Sequence, residues 1–328
     1  METTRKQLIE LLSKDPNQFY SGQELSEKIG ISRTAIWKHM NELKRDGYEI
    51  EAVSRKGYRI QRFPNKVSSN TLQWGLKTEW LGQEIHHFES VSSTQSIAHT
   101  MAQEGAPHGT VVIADEQTSG RGRLNRPWHS SSENGIWMSL VLRPSIEPFR
   151  APQLTLMTAT VLVEVIREFT TLDPRIKWPN DIMINGKKIA GILTELQAEQ
   201  DQIQYVILGI GINVNQTDFP EEIKDIASSL KQESGQPLSR VSIIQSFFGK
   251  FEEAFQTYIE FGFKQFKNKW EQSGYRLGEL AIIESGRTQI EGKLVGIDEN
   301  GGLVVLDDRL KLRTFYSAQI RWEKEEQK

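Results

Sequence analysis

Nine residues, Gly120-Arg121-Gly122-Arg123-Leu124-Asn125-Arg126-Pro127-Trp128, hold three arginines, two glycines, a proline and a tryptophan in a chain whose formal net charge is −3. Glycine costs backbone entropy inside a helix or strand and proline removes a donor, so the run is a loop. A basic loop hinged on glycine suits two chemistries: wrapping a phosphate or carboxylate, or lying on nucleic acid. A solvated surface loop would have the same composition, so the rest of the chain must decide.

Three further clusters could share chemistry with it: Ser93-Thr94-Gln95; Lys177-Trp178-Pro179-Asn180-Asp181, which leads into Gly186-Lys187-Lys188-Ile189-Ala190-Gly191-Ile192-Leu193-Thr194-Glu195; and Gly209-Ile210-Gly211-Ile212-Asn213-Val214. None is a phosphate loop of the GxxxxGK[ST] type, and Gly209-x-Gly does not go on to complete a dinucleotide fingerprint. Any phosphate site is therefore of another kind. With no cysteine and six histidines in no metal-binding spacing, thiolate sites, disulfides and cysteine nucleophiles are excluded. His86 and His87 are adjacent, so on a strand they would point to opposite faces and not converge on one ion.

The elements that would position these clusters fall into three blocks. The first, residues 1–65, predicts three helices and a hairpin. Arg5 to Lys14 carries Leu8, Ile9, Leu11 and Leu12 before the breaker Asp15-Pro16. Ser21 with Glu24 has capping-box spacing ahead of Leu25 and Ile29, and Gly30 stops that helix. Ser32 can cap a third helix whose Ile36, Met40 and Leu43 face inward until Gly47. Its other face presents Arg33, Thr34, Trp37, Lys38, Asn41 and Arg45. Two strands, YEIEAVS and YRIQRF, follow around the basic tip Arg55-Lys56-Gly57. Helix, tight turn, helix and basic hairpin outline a winged helix-turn-helix. We read Ser32, Arg33, Thr34, Trp37, Lys38, Asn41, Arg45, Arg55 and Lys56 as its DNA-binding residues. Among them Arg33, Thr34, Lys38 and Asn41 suit base edges, and Arg45, Arg55 and Lys56 suit phosphates. This block holds twelve Lys and Arg against nine Asp and Glu, a net +3 that leaves −6 for the remainder. A polar linker, PNKVSSN, separates it from the rest.

The second block, residues 66–273, mixes helix and strand. Buried-strand candidates Gly109–Ala114 and Ile136–Leu142 flank the arginine loop, and Ala151–Phe169 is a strongly apolar helix. Further strands are expected at 176–178, around the Asn185-Gly186 turn, at 189–196 and at 205–214. Residues 241 to 270 return to helical spacing with the core stripe Ile244, Phe247, Phe248, Phe251 and Phe255. The third block, residues 274–328, shows short strands with turns at Ser285-Gly286 and Asn300-Gly301, which fit a small β-barrel of roughly fifty residues. At 37% hydrophobic and 25% charged residues the composition is that of a soluble globular protein. No apolar run was expected to approach a membrane span, and the N-terminus lacks a secretory signal, so a cytoplasmic protein with no membrane partner is expected.

GRGR with a following tryptophan, KWPND, KKIAGILTE and GIGINV, in that order behind a winged helix-turn-helix, resemble the family of bifunctional biotin protein ligases and biotin operon repressors. The resemblance covers essentially the whole chain. It implies an α+β multidomain fold: a winged helix-turn-helix, a mixed α/β domain of the biotin/lipoate ligase type, and an SH3-like β-barrel. It implies ATP and biotin as substrates with Mg2+ expected, although the metal's residues are not identified. The products are biotinyl-5′-adenylate and pyrophosphate, followed by transfer of biotin to a lysine of the biotin carboxyl carrier protein. It also implies operator DNA as a partner and a homodimer when the adenylate is bound.

Carried onto this sequence, the resemblance makes Lys188, Arg121 and Arg123 catalytic. It assigns biotin to Ser93, Thr94, Gln117, Arg121, Gly122, Arg123, Trp128, Lys188, Gly191 and Gly209, and the nucleotide to Asn180, Asp181, Lys188 and Asn213. Physical chemistry agrees, because a carboxylate meets an α-phosphate only where cations offset their repulsion. A neutral ureido ring on an apolar tail needs a few hydrogen-bonding groups against glycine-lined walls. Gly120 and Gly122 would let the loop close over a hydrolysable anhydride. Gln95 stands where many relatives have asparagine, and Leu124-Asn125 where others are more basic. A lipoate-type ligase and a ligand-sensing repressor without ligase activity are the competing readings.

Overall fold

The computed structural model describes residues 4–322 except 14, 16, 46, 63–65 and 132. Three helices open the chain: α1 (Thr4–Ser13), α2 (Gly22–Ile29) and α3 (Arg33–Arg45). Ser21 accepts the Glu24 amide at 3.1 Å and Gly30, at φ 75°, ends α2 in the left-handed region, so the tight turn into α3 is set by a cap at each end. Ser32 then accepts the Ala35 amide at 3.2 Å. Leu25, Ile36, Met40 and Leu43 meet Leu8, Ile9 and Leu12 in a core of their own. The hairpin β1 (Glu49–Val53) and β2 (Gly57–Arg62) follows. Tyr20 and Tyr58 exchange both backbone hydrogen bonds at 2.9 Å, tying the hairpin to the start of α2. A side chain at Gly57 would lie 2.1 Å from the Tyr20 carbonyl oxygen, which is why glycine closes this wing. Lys14, Pro16 and Phe63, invoked in the helix, breaker and strand expectations, lie outside the described residues, as do Pro64 and Asn65 of the expected linker. The rest of that linker is not extended throughout: Ser68 and Thr71 form a capping box that starts α4 (Ser69–Gln73).

Next come β3 (Ile85–Val91), α5 (Thr94–Gln103), β4 (Val111–Gln117), β5 (Gly135–Leu142) and α6 (Ala151–Phe169). They are followed by β6 (Arg175–Lys177), β7 (Asp181–Ile184), β8 (Lys187–Glu199) and β9 (Gln202–Asn213). The seven strands form one sheet in the order β3-β4-β5-β9-β8-β7-β6, antiparallel except for the β3–β4 pair. Helices α7 (Leu230–Ser234), α8 (Arg240–Phe261) and α9 (Lys264–Gln272) complete this part. The expected single helical stretch from 241 to 270 is two helices, because Gly262 at φ 76° turns the chain between them. The phenylalanine stripe of α8 packs into the main core with α6. Thr194 of β8 bonds Thr155 of α6 at 2.7 Å, whereas its neighbour Leu193 lines the cleft on the opposite face with Gln95 of α5. Strand alternation thus gives α6 one face of the sheet and leaves the opposite face to α5 and a cleft.

By length and composition Pro148–Phe169 could cross a membrane, contrary to the expectation that no run comes close. Its most apolar window is 78% buried inside the protein, as suits a core helix. The final elements are β10 (Leu280–Ser285), β11 (Thr288–Ile297), β12 (Leu303–Asp307), β13 (Leu312–Phe315) and β14 (Gln319–Arg321). They form a five-stranded antiparallel sheet ordered β13-β12-β11-β10-β14. The expected barrel is not closed by hydrogen bonds: among the described residues β13 and β14 are the two ends of this sheet and do not pair.

Candidate active site

A cleft of about 570 Å³ opens on the α5 face of the seven-stranded sheet. Its floor is a consequence of register. Gly191 and Leu193 of β8 stand opposite Gly211 and Gly209 of β9, all with one orientation in the pleat. A methyl group on Gly211 would lie 2.6 Å from Trp128 Nε1, and one on Gly191 would lie 3.0 Å from Trp128 Cζ3. Two bare glycines therefore let the indole lie against the sheet. Gly209 is kept bare by something else, since its methyl would sit 2.4 Å from Gln95 Oε1.

One end of the cleft is polar and buried. Gln117 Oε1 accepts the Thr94 amide at 2.8 Å and the Thr94 hydroxyl at 3.0 Å, while Gln117 Nε2 donates to Ser130 Oγ at 2.9 Å. The Thr94 and Ser139 hydroxyls are 2.9 Å apart, and Ser139 donates to Gln95 Oε1 at 3.0 Å. Ser93, 4% exposed, keeps a buried hydroxyl with no protein partner in the cleft wall. A buried polar atom left without a partner is costly, and a ligand group able to bond it removes that cost.

The other end is charged. Lys188 Nζ lies 2.7 Å from Asp181 Oδ1 and 4.9 Å from the centre of the Trp128 ring. The arginine loop is shut by its own backbone: the Gly122 amide donates to Arg126 O and the Trp128 amide to Gly120 O, both at 2.8 Å. Leu124 and Asn125 take φ of 56° and 55° at its tip. Gly120 is required for packing, its added methyl falling 2.5 Å from Trp128 O, but Gly122 has only Arg126 O at 3.7 Å and no positive φ. Arg121 Nη2 donates to Glu195 at 3.2 Å, Arg123 Nη1 to Asn180 Oδ1 at 3.4 Å, and Arg126 Nη2 to Gln319 of the C-terminal sheet at 3.3 Å. Burial pulls the Arg123 guanidinium below its ordinary pKa, with nearby Asp181 opposing that shift.

Ser93, Thr94, Gln117, Arg121, Gly122, Arg123, Trp128, Asn180, Asp181, Lys188, Gly191 and Gly209 all line this one cleft. Asn213 does not. It is 4% exposed, donates to Ser228 O at 3.0 Å and accepts from Gln216 at 3.2 Å, so it fastens the end of β9 to the following segment. Sequence reasoning missed Ser139 and the bridging role of Gln95, which no local pattern marks. It also passed over Gly211, although two-residue spacing from Gly209 places it on the same face. In the head, Ser32, Arg33, Thr34, Trp37, Lys38, Arg45, Arg55 and Lys56 are exposed and Asn41 is partly so. Ser32 spends its hydroxyl on the α3 cap. Among the described residues no group of three or more His, Cys, Asp or Glu could hold a metal ion.

Fold and cleft define a class: a helix-turn-helix head on an acyl-activating ligase core. The biotin/lipoate A/B protein ligase family model matches residues 87–213 and a helix-turn-helix domain model matches residues 4–59. The chain is 48% identical over 320 residues to the bifunctional ligase/repressor BirA of Bacillus subtilis (strain 168), covering 97% of this chain and 98% of that one. It is 28% identical to the protein of the same name from Escherichia coli (strain K12), over 93% of each. The biotin protein ligase from Aquifex aeolicus in complex with biotin and ATP superposes with a TM-score of 0.65 at 34% identity, covering 73% of this chain and 99% of that one. The protein belongs to the family of bifunctional biotin ligase/repressors.

Proposed function

We propose that the cleft joins biotin to ATP and that the head makes the same molecule a biotin-responsive repressor. The biotin carboxylate oxygen bonds the α-phosphorus as the bond to the β-phosphate breaks, giving biotinyl-5′-adenylate and pyrophosphate. A lysine amine of the biotin carboxyl carrier protein then takes the acyl carbon, releasing AMP and a proton. The observation that carries this reading is the cleft's arrangement: a hydrogen-bonding cluster of Ser93, Thr94 and Gln117 on one side of the Trp128 indole, and Lys188, Arg123 and Asp181 on the other. That is the order in which a ureido ring, an apolar tail and a phosphate must lie. In this reading Lys188 and Arg123 offset the charge of the two anions, Trp128 flanks the tail, and Asn180 and Asp181 serve the nucleotide. Magnesium would come with the nucleotide, held mainly by phosphate oxygens, and Asp181 is the carboxylate beside Lys188 that fits a one-carboxylate site. Such an ion neutralises phosphate charge when bound.

We further propose residues 1–65 as the operator-binding unit, 66–273 as the ligase and 274–328 as a small SH3-like domain, in a cytoplasmic protein. For the adenylate-bound homodimer, the free outer edge of β8 is the natural seam, since β7 pairs with this strand only as far as Gly191. The deciding experiment gives the full chain biotin and MgATP and follows pyrophosphate release and labelling of a biotin carboxyl carrier domain, with lipoate in parallel. Biotin-dependent release and labelling are expected. Preference for lipoate, or ligand binding without pyrophosphate, would select one of the competing readings instead.

A further inference from the structure

Arg121 is the loop arginine whose place is set by a residue outside every role assigned so far. Its Nη2 donates to Glu195 Oε2 at 3.2 Å, and the same oxygen lies 3.2 Å from His99 Nε2. The arrangement follows from matched periods. On β8, Gly191, Leu193 and Glu195 share the cleft face at two-residue spacing. On α5, Gln95 and His99 share a face at four-residue spacing. The first residue of the helix pair reaches Leu193 O at 3.5 Å and the second reaches Glu195. His99 is itself held edge-on to Tyr205, 5.7 Å between ring centres, with Nδ1 3.5 Å from the phenol oxygen. Glu195 is about one-third exposed and its two partners are comparably placed, so the carboxylate has little freedom once both contacts form.

What this leaves on Arg121 is informative. Its Nε is fully buried in the cleft wall and has no hydrogen-bond partner in the protein. A guanidinium offers five donors in a rigid fork, so tethering one terminal nitrogen fixes where the remaining donors point. Arg121 also bridges Pro127 across the base of the arginine loop, so the same tether sets that base relative to β8.

We propose that Glu195, supported by His99, is a positioning residue: it fixes Arg121 so that its free Nε–H donates to an oxygen of the bound biotinyl group. The inference rests on the ligase reading and deepens it. Glu195 itself touches no substrate in this scheme; it acts through Arg121.

The test compares the full-length protein with Glu195→Gln, which keeps shape and removes charge, measuring KM for biotin, KM for ATP, the kcat of adenylate formation and the half-life of enzyme-bound adenylate. A charge-assisted hydrogen bond to arginine replaced by a neutral one should raise the biotin KM by about tenfold and shorten adenylate retention by a similar factor. The ATP KM and the melting temperature should stay near wild type. His99→Ala should show the same pattern more weakly, and His99→Gln, which retains a donor toward Glu195, should restore it in large part. An unchanged biotin KM and adenylate half-life in Glu195→Gln overturns the proposal. So does a lower biotin KM, which would mean that Glu195 competes with the substrate for Arg121, and so does a uniform loss that tracks a lower melting temperature. Failure of the wild-type protein to form adenylate would overturn the ligase reading instead, and is recognised before any variant is made.

Discussion

Lys188 by itself is an unremarkable strand lysine; its neighbours give it a task. It is held 2.7 Å from Asp181 and against the face of Trp128, so its charge is kept inside the cleft, where it counts for more than in water. Replacing it with alanine should slow adenylate formation by about two to three orders of magnitude, the scale of losing one preorganised charge donor. The melting temperature should hold, because Lys188 is partly exposed and contributes little packing. Stopped-flow pyrophosphate release together with a thermal melt checks both statements, and near-normal turnover would remove Lys188 from the chemistry. Gly211 makes a second prediction at this scale. Its alanine variant must displace the Trp128 indole, since a methyl would sit 2.6 Å from Nε1. A changed tryptophan emission and at least a several-fold weaker biotin affinity are expected, from fluorescence titration.

At the scale of elements, the floor of the cleft depends on strands that must not slip, because a one-residue shift would turn Gly191 and Gly211 away from Trp128. One clamp near the sheet's other side is buried and charged: Asp115 of β4 meets His87 of β3 at 3.1 Å and Arg240 of α8 at 3.4 Å, with Asp115 and Arg240 both nearly inaccessible. Burial alone would raise the Asp115 pKa, but His87 and Arg240 outweigh it and hold the carboxyl below the usual range. A depressed native pKa contributes stability that is fully present above the unfolded value of about 3.9 and is lost as pH falls through the lowered one. Asp115→Asn leaves Arg240 buried beside a neutral partner and should cost roughly 3 kcal/mol in urea unfolding at pH 7. The wild type's advantage over the variant should shrink progressively as the pH falls below about 4.

These elements also show where sequence reading succeeds and where it stops. The head was legible because caps and periodicity are local: Ser21, Gly30 and Ser32 act on residues three or four away. The arginine loop stands out as unusual residue types in a short run, whereas Lys188 is singled out only by the ordered motifs around it. Asn213 stands outside the cleft lining because Ser228 and Gln216, partners brought in by a loop that carries no pattern, engage its side chain. The Thr94–Ser139–Gln95 relay and the Arg126–Gln319 contact join segments more than forty residues apart, which only the assembled sheets bring together.

Across the whole molecule, head and body have separate hydrophobic cores and opposite charge, +3 for residues 1–65 and −6 for the rest. Separate cores mean that removing residues 1–65 should leave adenylate formation within a few-fold of the full chain while abolishing operator binding. The basic groups invoked for DNA are exposed on one helix and one hairpin tip, where they cost little to desolvate and can release counterions from a phosphate backbone. Each phosphate contact steepens the dependence of log K on log salt by about 0.9, so Arg55→Ala with Lys56→Ala should flatten that slope by about 1.8 per head without changing sequence preference. Asn41→Ala should do the reverse, leaving the salt slope alone and relaxing preference at one base pair by about 1–3 kcal/mol. Fluorescence anisotropy with an operator fragment and a scrambled duplex, over 50 to 200 mM salt, separates the two effects. If the wing variant kept its slope and lost sequence preference, the division of labour between α3 and the hairpin would have to be exchanged.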